Sequence, residues 1–107
     1  MGFFNMTQKY TFELKRGRTK KVITIPSNAT YADFDDEICE AYGYSTHDHC
    51  RAFFIGKPWV GIQLATINPD GSGDNEEDKI DPLITKEKIS YVYDFGDDIQ
   101  HQVKFLQ

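Results

Sequence analysis

Cysteine is scarce in this chain, with Cys39 and Cys50 the only two. Two thiols do not make the disulfide framework of a small secreted domain, and in a cytosolic protein they are more often buried filler than reactive groups. Long apolar runs are lacking as well: none approaches the ~20 residues that span a bilayer. The start, Met1 to Met6, carries no basic region, so it does not read as a secretion signal. Gly2 would suit N-myristoylation, but Met6 stands where Ser or Thr is required. A soluble cytoplasmic protein without membrane association is therefore expected. Catalytic signatures are missing too: there is no GxSxG, no phosphate-binding GxxxxGK and no HExxH. Asp94-Phe95-Gly96 copies the kinase magnesium motif in letters only, because the glycine-rich loop, partner lysine strand and catalytic loop are absent and the chain is far too short.

What is present suits one compact core. The 107 residues are 39% hydrophobic and 14% aromatic, which fits a single α+β domain over residues 1–107 and not a disordered chain. The net charge of −5 is unevenly spread. Residues 1–26 hold six bases against Glu13 alone, and five of those bases fall between Lys15 and Lys21. The rest of the chain is strongly acidic, so a basic knob sits on an acidic body.

The organising stretch is Ile89 to Phe105. Ile89, Tyr91 and Tyr93 alternate in its first arm. In its second, Ile99, His101, Val103 and Phe105 share one side, with Gln100, Gln102 and Lys104 on the other. That period of two marks half-buried strands. Asp94 to Asp98 reads as the turn between them, with Gly96 expected to take the positive φ of a tight reversal. At the other end, residues 7–14 alternate Tyr10, Phe12 and Leu14 inward. A polar turn through Gly17 follows, and Val22 to Ile25 forms the return strand, closed by Pro26.

Thr30 then reads as a helix N-cap with acids in the first turns. Tyr31, Phe34, Ile38, Ala41 and Tyr42 recur at steps of three and four, an apolar stripe that can lie on a sheet. Gly43 is the expected left-handed stop. The acidic helix face is expected in solvent. Arg51 to Ile55 reads as a strand, Gly56-Lys57-Pro58 as a turn, and Trp59 to Ile67 as a further strand. Asn68 to Asp81 is expected to be a long mobile loop, and Pro82 to Ile84 a short helical or extended piece.

Several groups could carry chemistry, and each has a plainer account. Counting from Asn68, Asp70, Ser72, Gly73, Asp74 and Glu76 occupy EF-hand positions, but Lys79 stands where the bidentate Glu belongs. A solvated loop is the expectation. Cys39, His47, His49 and Cys50 are zinc-type ligands, but their spacing fits no knuckle, and neighbours on an extended segment point apart. No metal and no cofactor are expected. His101 lies among apolar neighbours, where a neutral imidazole held by a hydrogen bond is the ordinary outcome. The sharper alternative brings His101, His49 and Asp94 or Asp97 together as a His–carboxylate site. The tip bases Lys15, Arg16, Arg18, Lys20 and Lys21 are candidate phosphate contacts. The acidic balance of the whole argues against nucleic acid.

These segments resemble a known family. The stretches Ile25 to Phe34, Ala41 to Tyr44, His49 to Phe53, and above all Tyr91 to Asp97 followed by His101 are similar to the plasmid Ri open-reading-frame-three-like proteins. Some members are labelled mobile-element passenger or resolvase-like proteins. The family implies no established activity, and no nucleophilic-serine context with an arginine cluster supports the resolvase label. The chain departs from the pattern at Lys20-Lys21-Val22, where a Trp before paired Arg is usual, at Ile99 in place of an aromatic, and at Arg51 in place of a second His. It also lacks the Cys- and Pro-containing tail of many relatives, so it reads as a short, divergent member.

The expected architecture is an N-terminal β-hairpin, one helix on a mixed or antiparallel sheet, and a C-terminal β-hairpin, in an order resembling a β-grasp arrangement. The expected role is a non-catalytic binding module whose partner is another protein, with no catalytic residue assigned. His49, Arg51, Tyr93, Asp94, Asp97 and His101 are the candidate binding set. A nucleic-acid accessory protein and a His/Asp enzyme are the alternatives.

Overall fold

The computed structural model describes residues 8–107, and the readings placed on Met1 to Thr7 lie outside them. Strand β1 (Lys9–Arg16) and strand β2 (Thr19–Pro26) form the opening hairpin. Helix α1 (Tyr31–Tyr42) follows. Then come β3 (Arg51–Ile55), β4 (Ile62–Ile67), a 3₁₀ turn at Asp81–Leu83, β5 (Ile89–Tyr93) and β6 (Ile99–Phe105). The six strands make one open sheet in the order β2-β1-β6-β5-β3-β4. Every neighbouring pair runs antiparallel, including β1 with β6. That pair runs parallel in a β-grasp sheet, so the arrangement differs there.

The closing hairpin is the middle of the sheet. The helix covers one face with its stripe: Phe34 packs between Phe12 of β1 and Phe53 of β3, at ring distances of 4.8 and 5.7 Å. Tyr31 and Ile38 are buried beside it. The helix starts where the chemistry dictates. Thr30 accepts from the Asp33 backbone N–H at 3.1 Å, and Asp33 accepts from the Thr30 N–H at 3.0 Å, a reciprocal capping box. Gly43 ends it at φ 76°.

Several local expectations need correction. Gly96 does not take the left-handed conformation; Asp94 (φ 66°) and Asp98 (φ 53°) do. Asp tolerates that region because its carboxylate can hold nearby backbone. Asp94 Oδ1 accepts from the Gly96 and Asp97 N–H groups. The second strand starts at Thr19, so the hairpin tip is only Gly17 and Arg18. Trp59 is no strand residue: it sits at φ 67° in a turn, and β4 begins at Ile62. The acidic loop after β4 is tied down. Thr66 N–H donates to Asp74 O at 2.9 Å, Thr30 bridges Lys79, and Ile80 is buried in the core.

Strand β5 is buried on both faces, unlike a strand with one wet side. The cause is the 56–61 turn, which folds over the sheet face opposite the helix. There Ala52, Phe54 and Val92 form a second small core. Trp59 packs on Phe54 at 5.2 Å and on Phe95 at 4.9 Å, and its indole N–H donates to Asp98 Oδ1 at 2.7 Å.

Candidate functional site

The sequence-derived set is only partly assembled. His49 Nδ1 lies 3.3 Å from Asp94 Oδ2, with His49 40% and Asp94 14% exposed in their side chains. Asp97 joins only through its backbone N–H to Asp94. Tyr93 packs edge-on against His49 at 5.6 Å and donates its hydroxyl to Ser45 O. His101 does not join this pair. Its Nδ1 is 3.1 Å from Tyr91 O, and since a carbonyl only accepts, Nδ1 carries the proton. Its Nε2 then accepts from Tyr44 OH at 2.7 Å. Burial, offset in part by the bond to Tyr91 O, lowers the pKa of His101. It is the neutral, hydrogen-bonded core histidine.

A tyrosine stack separates the two histidines. Tyr44 lies on Tyr93 at 4.2 Å and on Tyr42 at 5.2 Å. Arg16 donates to Tyr44 OH at 3.0 Å, and Lys21 sits 5.7 Å over the Tyr42 ring. The tip bases are thereby divided. Arg16 and Lys21 turn to the helix face, whereas Lys15 and Lys20, opposite one another in register, lie on the other.

Arg51 is a buried structural group. Its Nε and NH2 donate to Asp35 Oδ1 and Oδ2 at 3.0 and 2.6 Å, and its NH1 donates to Thr46 O and His49 O. Tyr91 OH adds a 2.6 Å bond to Asp35 Oδ1. Asp35 is therefore not on a solvent face: it is fully buried. Burial alone would lower the Arg51 pKa, but the hydrogen bonds and charge of Asp35 push it up. Burial, reinforced by the Asp35 charge, pushes the Cys39 thiol up to about 12, where it is inert. Cys39 lies 3.6 Å from Tyr91 OH, away from any zinc set. Among the described residues, no three His, Cys, Asp or Glu side chains gather to hold a metal ion, in the Asn68 loop or elsewhere.

The most open chemistry lies where sequence reasoning reached, among the lysines, only Lys15, one of the five tip bases. On the face away from the helix, a groove of about 580 Å³ runs between the hairpin tip, the 56–61 turn and the centre of the sheet. Lys15, Lys57, Lys88, Ser90, Gln100 and Gln102 line it, and none of its lining residues is acidic. The alternation in β6 marked Gln100 and Gln102 as outward-facing. Lys57 and Lys88 are isolated letters in the sequence, and nothing local marks them as neighbours.

A single helix across one face of a six-stranded antiparallel sheet, with the other face partly open, defines an α+β domain. A family model described as plasmid pRiA4b ORF-3-like protein matches residues 9–107. The chain belongs to that family. Its fold is shared with the crystal structure of a protein of unknown function from Methanosarcina mazei Go1, at TM-score 0.72 and 22% identity. The match covers 96% of this chain and 61% of that one, so the chain spans about three fifths of its length. No curated protein matches. Among the described residues, no helix is long and apolar enough to cross a membrane.

Proposed function

We propose that this protein is a small non-catalytic binding module, and that its ligand face is the side of the sheet away from the helix. The observation that carries the reading is the unequal use of the two faces. The helix face is filled by the aromatic core and by the Asp35–Arg51 and His101 networks, whose polar atoms are already partnered. The other face keeps a polar concavity within the ~300–1,000 Å³ range of small-ligand sites. Its walls are held: Ser90 Oγ donates to Gly56 O at 2.7 Å, and Gly56 N–H donates to Lys88 O at 2.7 Å. A concavity of this size suits a small charged ligand better than a protein surface.

The test is a thermal-shift screen of small charged metabolites against the wild type and a Gln102→Trp variant, whose indole fills the groove. Ligands that raise the wild-type melting temperature, leave the variant unmoved and are recovered unchanged support the reading. Ligands that stabilise both proteins equally, or that are consumed, overturn it.

One observation favours a second reading, an enzyme with a His–carboxylate pair: the 3.3 Å approach of His49 to Asp94 at a half-exposed position. A carboxylate there would orient the ring as a general base. Turnover abolished by His49→Ala, with stability kept, would establish it.

A further inference from the structure

The groove has a definite electrostatic character. This chain holds more acids than bases, 17 against 12, yet the groove gathers three lysines and no carboxylate. The lysines come from separate elements: Lys15 from β1, Lys57 from the 56–61 turn, and Lys88 from the segment leading into β5. Among the described residues, none of the three has a carboxylate within 4.0 Å. The nearby acids are already engaged or displaced. Asp98 binds the Gln100 amide and the Trp59 indole, and Glu13 lies one row along, opposite Lys104.

Register sharpens the picture. Lys20, Lys15, Gln102, Ser90 and Phe54 follow one another across β2, β1, β6, β5 and β3 as direct cross-strand partners. Lys15 and Lys20 thus stand side by side on one face. Directly opposed like charges destabilise a strand pair. A bound anion removes that repulsion.

We infer that this groove takes a small organic molecule bearing at least two phosphate groups, of nucleoside di- or triphosphate size; the inference rests on the reading of this face as the binding face. Lysine ammoniums act as point charges on phosphate oxygens. The exposed amide of Gln102 offers a hydrogen-bond donor between them. The groove is bordered by Pro58 and by the highly exposed Val60, which supply an apolar edge for the organic part. A long polyanion fits less well. Beyond the groove and the adjoining hairpin tip the chain is acidic, and a nucleic-acid backbone needs many bases along one track.

The test is calorimetric titration of the full chain at low salt with four probes: adenosine triphosphate, pyrophosphate, adenosine, and a single-stranded oligonucleotide of twenty residues. Saturable binding of the triphosphate and of pyrophosphate is expected, weakening as salt rises. Lys57→Ala and Lys88→Ala should each weaken the triphosphate about threefold to tenfold, while Lys86→Ala, outside the groove, should leave it unchanged. Failure of both phosphate probes to saturate overturns the phosphate assignment, as does binding that ignores Lys57→Ala and Lys88→Ala. Adenosine binding as tightly as its triphosphate also overturns it. In each case a metabolite from the screen that Gln102→Trp excludes still leaves the binding module standing. Tighter binding of the oligonucleotide than of the triphosphate overturns the small-ligand assignment in favour of a polymer.

Discussion

Replacing Asp35 by Ala probes the part of the fold with the most concentrated electrostatic load. Asp35 is fully buried, and Arg51 is 2% exposed. The carboxylate accepts three bonds of 2.6 to 3.0 Å, two from the guanidinium and one from Tyr91 OH. Removing it leaves the guanidinium in the core with only two backbone carbonyls, and leaves the Tyr91 hydroxyl without its acceptor. Breaking a buried pair on one side costs about 3–5 kcal/mol. A domain of this length has ~5–15 kcal/mol in all, so the variant should lose about a fifth of its stability or more. Its melting temperature should fall by about 12–20 °C.

The informative comparison is the double variant Asp35→Leu with Arg51→Met. It removes both charges and refills the space with apolar groups, so it should be more stable than Asp35→Ala alone. Urea unfolding followed by far-ultraviolet circular dichroism measures all three proteins, with the slope against urea checked for constancy. Asp35→Ala within 1 kcal/mol of wild type, or a double variant no better than the single, would refute the assignment of this pair as a buried, mutually dependent unit.

Three further outcomes follow from the geometry. Burial holds His101 below its ordinary pKa of 6.5, so below that pH the unfolded chain binds the proton more readily than the folded one. Stability is full above about 6.5 and falls as pH drops toward the lowered value; His101→Gln should flatten this dependence, and equal losses between pH 7.5 and 5.5 in both proteins would count against it. Gly61→Ala would place a Cβ 1.9 Å from Ile55 O, so the 56–61 turn must move. About 1–3 kcal/mol should be lost, and the emission of Trp59, the single tryptophan, should shift as it leaves Phe54 and Phe95. Thr30→Ala should cost ~1 kcal/mol in chemical denaturation by opening the capping box, and a neutral result would mean that the Lys79 bridge alone sets the helix start.

Local chemistry carried much of the fold into legibility. The alternation of Phe12 and Leu14, and of His101 and Val103, announced strands with one buried side. The pattern from Thr30 to Gly43 announced a capped helix, since its signals lie within one turn of each end. Misreadings arose where a neighbour distant in sequence decided the outcome. Asp35 looked like one more exposed acid of a helix face until Arg51, sixteen residues on, met it in the core. Trp59 looked like strand until its side chain was claimed by Phe54, Phe95 and Asp98.

Of the candidate site, residue types were readable and convergence was not. The His49–Asp94 approach and the isolation of His101 depend on the pairing of β3 with β5 and β5 with β6, which no local spacing encodes. The lysines of the groove depend on more: three elements spread over more than seventy residues close around one concavity only after the central hairpin is in place. Periodicity is a property of neighbours along the chain, so the order of residues was enough to mark most helix and strand segments and the main apolar side of each. Electrostatic meeting points are properties of neighbours far apart along the chain, and only the packing of helix, strands and turns against one another decided them.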